Sequence, residues 1–258
     1  MKPAIRPFAV VLVCVLSGVA VAPSAVASGS GQGAAVDGLP VFGPGRFYRP
    51  AINPADFSPN VDNPWFPLPV GTTYVYAGTK DGKTAIDVTV PSANTQVVDG
   101  VTTRVVEDRL YLDGRLEERT RDYYAQDKAG NVWYFGEDTA TLDPHGHVTS
   151  TDGSFHAGVD GAQPGVFMQA TPEVGRRFRQ EWFPGHAEDT YKALNLAASV
   201  SVPYGSFANA LQTRETTALE PGVVDNKYYV RGTGEVEELA VRGPLEKLTL
   251  VDVIVSGA

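Results

Sequence analysis

One short segment of the sequence combines an imidazole with several carboxylates. His186 is followed by Glu188 and Asp189, and Glu181 and Trp182 precede it. A carboxylate beside a histidine can orient the ring and raise its pKa, which suits general acid–base catalysis. The alternative is a surface loop whose charges face water. The candidate catalytic residues are His186, Glu188, Asp189 and Glu181.

Aromatic side chains are more numerous than one packed sheet face requires. A curved sheet that leaves some of them on its concave face would form an aromatic-lined cleft, in which tyrosine hydroxyls fix the ligand. The segment from Trp182 to Asp189 would be its rim, because Pro184 and Gly185 interrupt the strand pattern there. The candidate ligand-binding residues are Trp133, Phe135, Tyr74, Tyr76, Tyr229 and Trp182.

Metal ligands are present but poorly patterned. His145 and His147 would share one face of an extended strand, as in zinc or copper sites, but Pro144 and Gly146 favour a loop tip. Oxygen ligands for calcium could come from Asp127, Asn131, Asp138 and Asp143. These residues do not follow the order of ligands in an EF-hand loop, which ends in a glutamate. The sequence therefore predicts no metal site.

Several function classes are excluded by missing motifs and by charge. The sequence has no G-x-S-x-G nucleophile elbow, no P-loop and no dinucleotide-binding fingerprint, so we predict no cofactor. The chain has 30 acidic and 21 basic residues, a net charge of −9. An acidic chain is a poor partner for nucleic acid, which rewards clustered Lys and Arg.

The first 27 residues are typical of a signal peptide. Lys2 and Arg6 precede an apolar run, and Ala25-Val26-Ala27 fits the cleavage pattern, so we expect export and removal of residues 1–27. A membrane anchor is the alternative, but Pro23 breaks the apolar run. Cys14, the one cysteine, lies inside that run, so the mature protein has no disulfide and no stable membrane anchor is expected.

Residues 28–55 are rich in Gly and Pro and read as a linker that becomes an extended strap. From residue 56 to 258 the pattern is period two, with Asp-Gly pairs between the apolar runs, for example Asp81-Gly82 and Asp113-Gly114. These features predict a single all-β domain, a large curved antiparallel sheet shaped as a half-barrel or barrel. At most one or two short helices are expected, the best candidate being residues 207–211.

Three sequence blocks carry a resemblance to known bacterial proteins. They are the opening at residues 63–76, which begins Asn-Pro-Trp-Phe-Pro, the block at 131–137 and the block at 184–189. Together they resemble an uncharacterised actinobacterial family of secreted β-proteins, which is loosely similar to half-barrel lipoprotein carriers. The resemblance implies a curved antiparallel sheet and carries over no catalytic residue. The lipid-bearing cysteine of the lipoprotein members is absent here.

These observations favour a secreted binding protein that holds a small apolar or aromatic ligand, a lipid or a glycan in the concave face of its sheet. Two alternatives stay open. One is a secreted hydrolase or lyase that uses carboxylates with His186. The other is a structural or interaction module without a ligand, in which the same aromatics would fill the interior. The sequence leaves the oligomeric state open.

Overall fold

The computed structural model describes residues 38–256, so the predicted signal peptide and its cleavage site lie outside the described residues. Within this range two 3-10 turns, Gly45–Phe47 and Pro54–Asp56, accompany sixteen strands. The strands are β1 (Phe57–Ser58), β2 (Thr72–Lys80), β3 (Lys83–Val98), β4 (Val101–Leu112), β5 (Arg115–Asp127), β6 (Val132–Leu142), β7 (Val148–Ser150), β8 (Phe155–His156), β9 (Gln163–Met168), β10 (Arg177–Arg179), β11 (Glu181–Trp182), β12 (Asp189–Val202), β13 (Gly205–Thr217), β14 (Val224–Val230), β15 (Gly234–Arg242) and β16 (Glu246–Val255).

These strands form an antiparallel sheet that is nearly closed into a barrel, which confirms the predicted fold class. Thirteen strands follow one another in the order β10-β12-β13-β14-β15-β16-β2-β3-β4-β5-β6-β9-β11, and β1, β7 and β8 pair beside this path. β10 and β11, at the two ends, are separated along the chain by Gln180 alone. Chain continuity therefore holds the ends of the sheet together.

The Asp-Gly pairs make the tight turns that the sequence predicts. Asp81-Gly82, Asp99-Gly100 and Asp113-Gly114 connect β2 to β5 in succession, with φ of 49–51° at Asp and 75–77° at Gly. Positive φ at both central residues defines the hairpin turn whose twist matches that of the flanking strands. These three turns give the sheet its antiparallel neighbours.

The prediction of a short helix at residues 207–211 is wrong. This segment belongs to β13, where Phe207 lies opposite Val200 and Ala210 lies opposite Ala198 on β12. Register shifts between these pairs account for the irregular spacing of the apolar residues. A helix of five residues is only marginally stable by itself, whereas pairing with β12 supplies hydrogen-bond partners for the backbone of this segment.

A glycine in β6 changes which side chains face inward. Gly136 has φ of 149°, and a Cβ there would lie 2.3 Å from the carbonyl oxygen of Phe155. The register between β5 and β6 shifts beside it, between Tyr123 and Tyr124. Because one extra residue inverts the alternation of faces, Tyr134 and Glu137 both point into the barrel. The bulge thereby adds a carboxyl group to the interior.

The segment before β1 lies on the outside of the sheet. Tyr48 donates a hydrogen bond from its hydroxyl to the carbonyl of Pro164 at 3.1 Å, and the carbonyl of Gly43 accepts one from Arg179 at 3.0 Å. Gly45 lies so close to Trp182 that a Cβ would meet its ring at 2.0 Å. The linker and domain boundaries remain predictions. No helix in residues 38–256 is long and apolar enough to cross a membrane.

Candidate ligand-binding cavity

A cavity lies inside the barrel, and strands from around the sheet contribute to its wall. The space open to the centre of a water molecule measures about 70 Å³. Since one water needs roughly 10–15 Å³ of such space, the cavity has room for about five waters or one small molecule. Its aromatic walls are Phe66, Tyr76, Tyr124, Tyr134 and Phe167, and its ionisable walls are Asp108, Asp122, Glu181, Lys227 and Glu235.

The aromatic wall is built by strand pairing. Tyr124 on β5 and Tyr134 on β6 are direct register partners, and their rings stack with centroids 4.8 Å apart. Phe167 meets the edge of Tyr124 at 5.0 Å, and Phe66 lies 4.6 Å from Phe167. Cross-strand aromatic pairs of this kind stabilise a sheet and hold the rings in fixed positions. The ring faces and edges that line the cavity are therefore preorganised.

Glu181 contributes a carboxyl group with few partners. It is fully buried, and neither of its oxygens accepts a hydrogen bond from another side chain within the described residues. Burial raises the pKa of Glu181 well above its ordinary value, and the charge of Asp189 raises it further, while the backbone N–H of Asp189 acts in the opposite direction. Glu181 is thus a buried acid facing the cavity whose neutral form is favoured by its surroundings.

Asp108 belongs to a buried carboxyl pair with Asp87. Burial raises the pKa of both groups, and the charge of Asp108 raises that of Asp87 further. Thr89 donates a hydrogen bond to Asp108 at 3.0 Å. Because two neighbouring buried carboxyl groups disfavour each other's ionised form, Asp87 and Asp108 titrate as a coupled pair.

Asp122 is held against the aromatic wall. The hydroxyl of Tyr134 donates a hydrogen bond to it at 2.7 Å. Burial raises the pKa of Asp122 to about 8, with the charge of Asp108 adding to the effect and the Tyr134 hydrogen bond opposing it. At neutral pH this acid is mostly protonated, and a nearby positive charge would ionise it.

Lys227 is the cation of the cavity wall. Its ammonium lies 3.4 Å from Glu215, 3.5 Å from Glu238 and 3.7 Å from Glu235. Burial alone would lower the pKa of Lys227, but these carboxylates raise it well above the ordinary value. Burial raises the pKa of Glu235 to about 7, against the charge of Lys227. The lysine is therefore charged and already surrounded by acids.

The structure divides the predicted ligand-binding residues between two faces of the sheet. Tyr76 lines the cavity, and Tyr74 and Tyr229 lie in the interior clusters next to it. The expectation that Trp133 and Phe135 share this concave face is wrong. They pack outside, where Phe57 meets their rings edge-on at 5.8 Å and 5.2 Å.

Trp182 is also on the outside of the sheet. Its ring packs against Gly45, and the guanidinium carbon of Arg179 lies 4.3 Å from the centre of the ring. The physical reason is the period of the strand: on β11, Glu181 points into the cavity, so its neighbour must point away.

The predicted catalytic group does not come together as a site. His186 is exposed and stacks on Phe183 at 4.4 Å, and Glu188 accepts a hydrogen bond from the backbone of Gly185 at 2.9 Å. Both contacts close the exposed turn of this loop. Glu181, by contrast, is buried inside the barrel, and Asp189 is buried beside it. His186 therefore lies at the surface, and Glu181 lies in the cavity.

The metal candidates take structural positions. Asp127 accepts hydrogen bonds from Asn131 and from the indole of Trp133, both at 2.9 Å. Asp143 closes a loop by binding the ring and backbone of His147. In the described part of the chain no group of three or more His, Cys, Asp or Glu residues is placed to hold a metal ion.

Sequence reasoning missed most of the cavity wall. The alternation along these strands puts Asp122, Tyr124 and Tyr134 on one face and Tyr123 and Trp133 on the other. The alternation alone does not show which face is inside, because that depends on what covers the outside of the sheet. The usable signal was the aromatic content of the segment before β1, since those side chains need an outer face on which to pack. Phe66 and Phe167 carried no distinguishing pattern.

Comparison with known proteins gave two structural similarities. One is to an exported-protein candidate with a YmcC-like fold from Bacteroides fragilis NCTC 9343, at 12% identity and a TM-score of 0.43. The other is to a lipoprotein candidate from Parabacteroides distasonis ATCC 8503, at 9% identity and a TM-score of 0.40. Each comparison covers 74% of this chain and 98% of the other. No family model and no curated protein matches the sequence. The actinobacterial resemblance remains a prediction.

Proposed function

We propose that the protein is a secreted binding protein that holds a small organic cation, an amine or a quaternary ammonium, inside the barrel. The observation that carries this proposal is the buried carboxyl group of Glu181, which has no side-chain partner and faces a cavity walled by tyrosine rings. Aromatic faces and carboxylates together recognise ammonium groups, through the ring quadrupole and through direct charge attraction.

The cavity lining changes the class of ligand expected from the sequence. An apolar ligand or a lipid would press against Asp108, Asp122 and Glu181, and burying such groups without partners is costly. The volume of about 70 Å³ also suits a small molecule better than an acyl chain. A cation, by contrast, supplies the side-chain partner that Glu181 lacks.

Binding of a cation should be coupled to proton release. Asp122, with a pKa of about 8, is mostly protonated at neutral pH in the empty site, and burial shifts the pKa of Glu181 in the same direction. A positive charge beside them favours their ionised forms, so each binding event expels protons. Affinity for the cation should therefore rise with pH up to about 8, the pKa of Asp122.

The test compares choline with 3,3-dimethylbutanol, its uncharged carbon isostere, by isothermal titration calorimetry in two buffers of different ionisation enthalpy. We expect choline to bind and to release protons, and the alcohol to bind at least about tenfold more weakly, because only the cation engages the carboxylates. Equal affinity for both compounds would contradict the proposal, and so would binding without proton release.

Glu181→Gln supplies the site variant, and Glu188→Gln is its matched control in the neighbouring exposed loop. The amide keeps the shape of Glu181 but removes the charge, so choline affinity should fall about tenfold or more in the first variant and stay unchanged in the second. Failure of both compounds to bind wild-type protein would leave the structural module as the better description.

A further inference from the structure

A second concavity lies on the outer face of the sheet, across β4, β5 and β6. It is larger than the interior cavity, at about 350 Å³. Its wall carries the three arginines Arg109, Arg119 and Arg121 and the three acids Glu107, Asp108 and Asp138. We call this concavity the arginine groove. It is unusual in a chain with a net charge of −9, because the average surface of such a chain is acidic.

The arginine groove places like charges directly opposite each other. Arg109 on β4 is the register partner of Arg119 on β5. Like charges directly opposite each other destabilise a strand pair. An anion bound between the two guanidinium groups would remove that cost.

All three acids of the groove are already engaged. Asp108 is buried and accepts a hydrogen bond from Thr89 at 3.0 Å. Glu107 forms an ion pair with Arg109. Asp138 accepts a hydrogen bond from the hydroxyl of Tyr123 at 2.5 Å and lies 2.9 Å from Nε2 of His156. Arg119 and Arg121 are exposed, and within residues 38–256 neither has a carboxylate at ion-pair distance. Two guanidinium groups therefore remain available to a ligand.

We propose that the arginine groove binds a small organic molecule through a tetrahedral oxyanion, a phosphate or sulfate monoester. The planar fork of arginine matches such oxygens with paired hydrogen bonds, which an ammonium cannot do. A volume of about 350 Å³ leaves room for the organic part, since ligand pockets measure ~300–1,000 Å³. This site does not depend on the function proposed for the interior.

The competing explanation is a solvated charge ladder. Arg121 lies opposite Glu107 on one side and Asp138 on the other, so its charge is complemented along the sheet without any ligand. Exposed ladders of this kind contribute little energy. The two explanations differ in one measurable respect, because only a site discriminates between an ester and its uncharged parent sugar.

The experiment measures binding of glucose 6-phosphate, glucose 6-sulfate, inorganic phosphate and glucose to the wild-type protein by calorimetry at low ionic strength. We expect both esters to bind at least about tenfold more tightly than glucose. A higher affinity for the ester than for inorganic phosphate would assign the groove to an organic ester, and equal affinities would assign it to the oxyanion alone. Esters that bind no better than glucose would overturn the proposal.

The variants are Arg119→Gln and Arg121→Gln, with Arg115→Gln as control. Arg115 lies on the same strand and pairs with Glu117 at 3.2 Å, outside the groove. Each groove variant should weaken ester binding about tenfold and leave the far-ultraviolet circular dichroism unchanged, and Arg119→Lys should restore part of the affinity. Equal losses in all variants, or no loss in the groove variants, would contradict the assignment.

Discussion

The strands β4, β5 and β6 contribute side chains to two concavities of different character. On β4, the buried Asp108 borders both concavities, whereas the next residue, Arg109, lines the arginine groove only. On β5, Asp122 faces the interior and the preceding residue, Arg121, faces the groove. The period of two lets β4 and β5 each place an acid in the interior and an arginine in the groove. One sheet can thus present a proposed cation site on one side and a proposed anion site on the other.

The two concavities also differ in how far their charges are set by burial. In the groove Arg119 and Arg121 are exposed and Arg109 is half-buried, and a guanidinium group does not lose its charge in proteins. In the interior, burial raises the pKa of several carboxyl groups, including Asp87, Asp122 and Glu181, and so favours their neutral forms. The charge of the groove is therefore fixed by its residue types, whereas the charge of the interior depends on pH and on what is bound.

The largest expected effect of this difference is on stability as a function of pH. Burial raises the pKa of Glu118 and of Asp122 to about 8, so the folded protein holds protons that the unfolded chain releases above about pH 4. Stability should therefore fall as pH rises between about 4 and 8 and level off above. One such group loses about 1.4 kcal/mol per pH unit, so we expect a fall of at least about 4 kcal/mol between pH 5 and pH 8 in urea unfolding.

The double variant Glu118→Gln with Asp122→Asn tests the assignment of this pH dependence. Neither amide titrates, so the slope of stability against pH should become much shallower. Asp143 on the outside serves as the control, because hydrogen bonds from His147 and His145 lower its pKa and place its titration below this window. Asp143→Asn should keep the wild-type slope, and an unchanged slope in the double variant would contradict the buried-acid explanation.

The next effect concerns the loss of one cation from each concavity. Lys227→Met leaves Glu215, Glu235 and Glu238 without their shared partner, and unpaired buried charges cost about 3–5 kcal/mol. Arg109→Met removes a half-exposed partner of Glu107, where such pairs contribute about 0–1 kcal/mol. Chemical denaturation of both variants at neutral pH measures the contrast. Similar costs in the two variants would show that the interior is far better hydrated than its burial indicates.

The sequence predicts the fold well because its signals are local. The Asp-Gly pairs demand positive φ at neighbouring positions, and they fix three hairpins before any long-range contact is known. The alternation of apolar and polar residues likewise predicts the strands from local sequence alone. The short helix at 207–211 fails for the opposite reason, since the pairing of Phe207 with Val200 is set by a register shift that no local pattern reveals.

The sites are harder to predict because they depend on which face is inside. The sequence places Tyr76 on the concave face, where it lines the cavity, but it gives Trp133 the face that belongs to Tyr134. The bulge at Gly136 compounds the problem, because residues on its two sides follow opposite alternation. In the sequence, the acids of the cavity cannot be distinguished from acids exposed to solvent, because their burial depends on how the strands pair.

The smallest expected effect is the most specific for the arginine groove. Arg119→Thr removes one of two facing guanidinium groups and introduces a residue favoured in strands. In dilute buffer the variant should be more stable than wild type by about 0.2–1 kcal/mol, and the gain should vanish in about 1 M salt, where charges are screened beyond ~3 Å. Saturating glucose 6-phosphate should reverse the order, because it stabilises only the protein that binds it. Thermal unfolding curves under these three conditions give the comparison. If the gain in stability persists in high salt, strand propensity and not charge repulsion accounts for it. If the ester does not change which protein is more stable, the proposal that the groove binds an ester is contradicted.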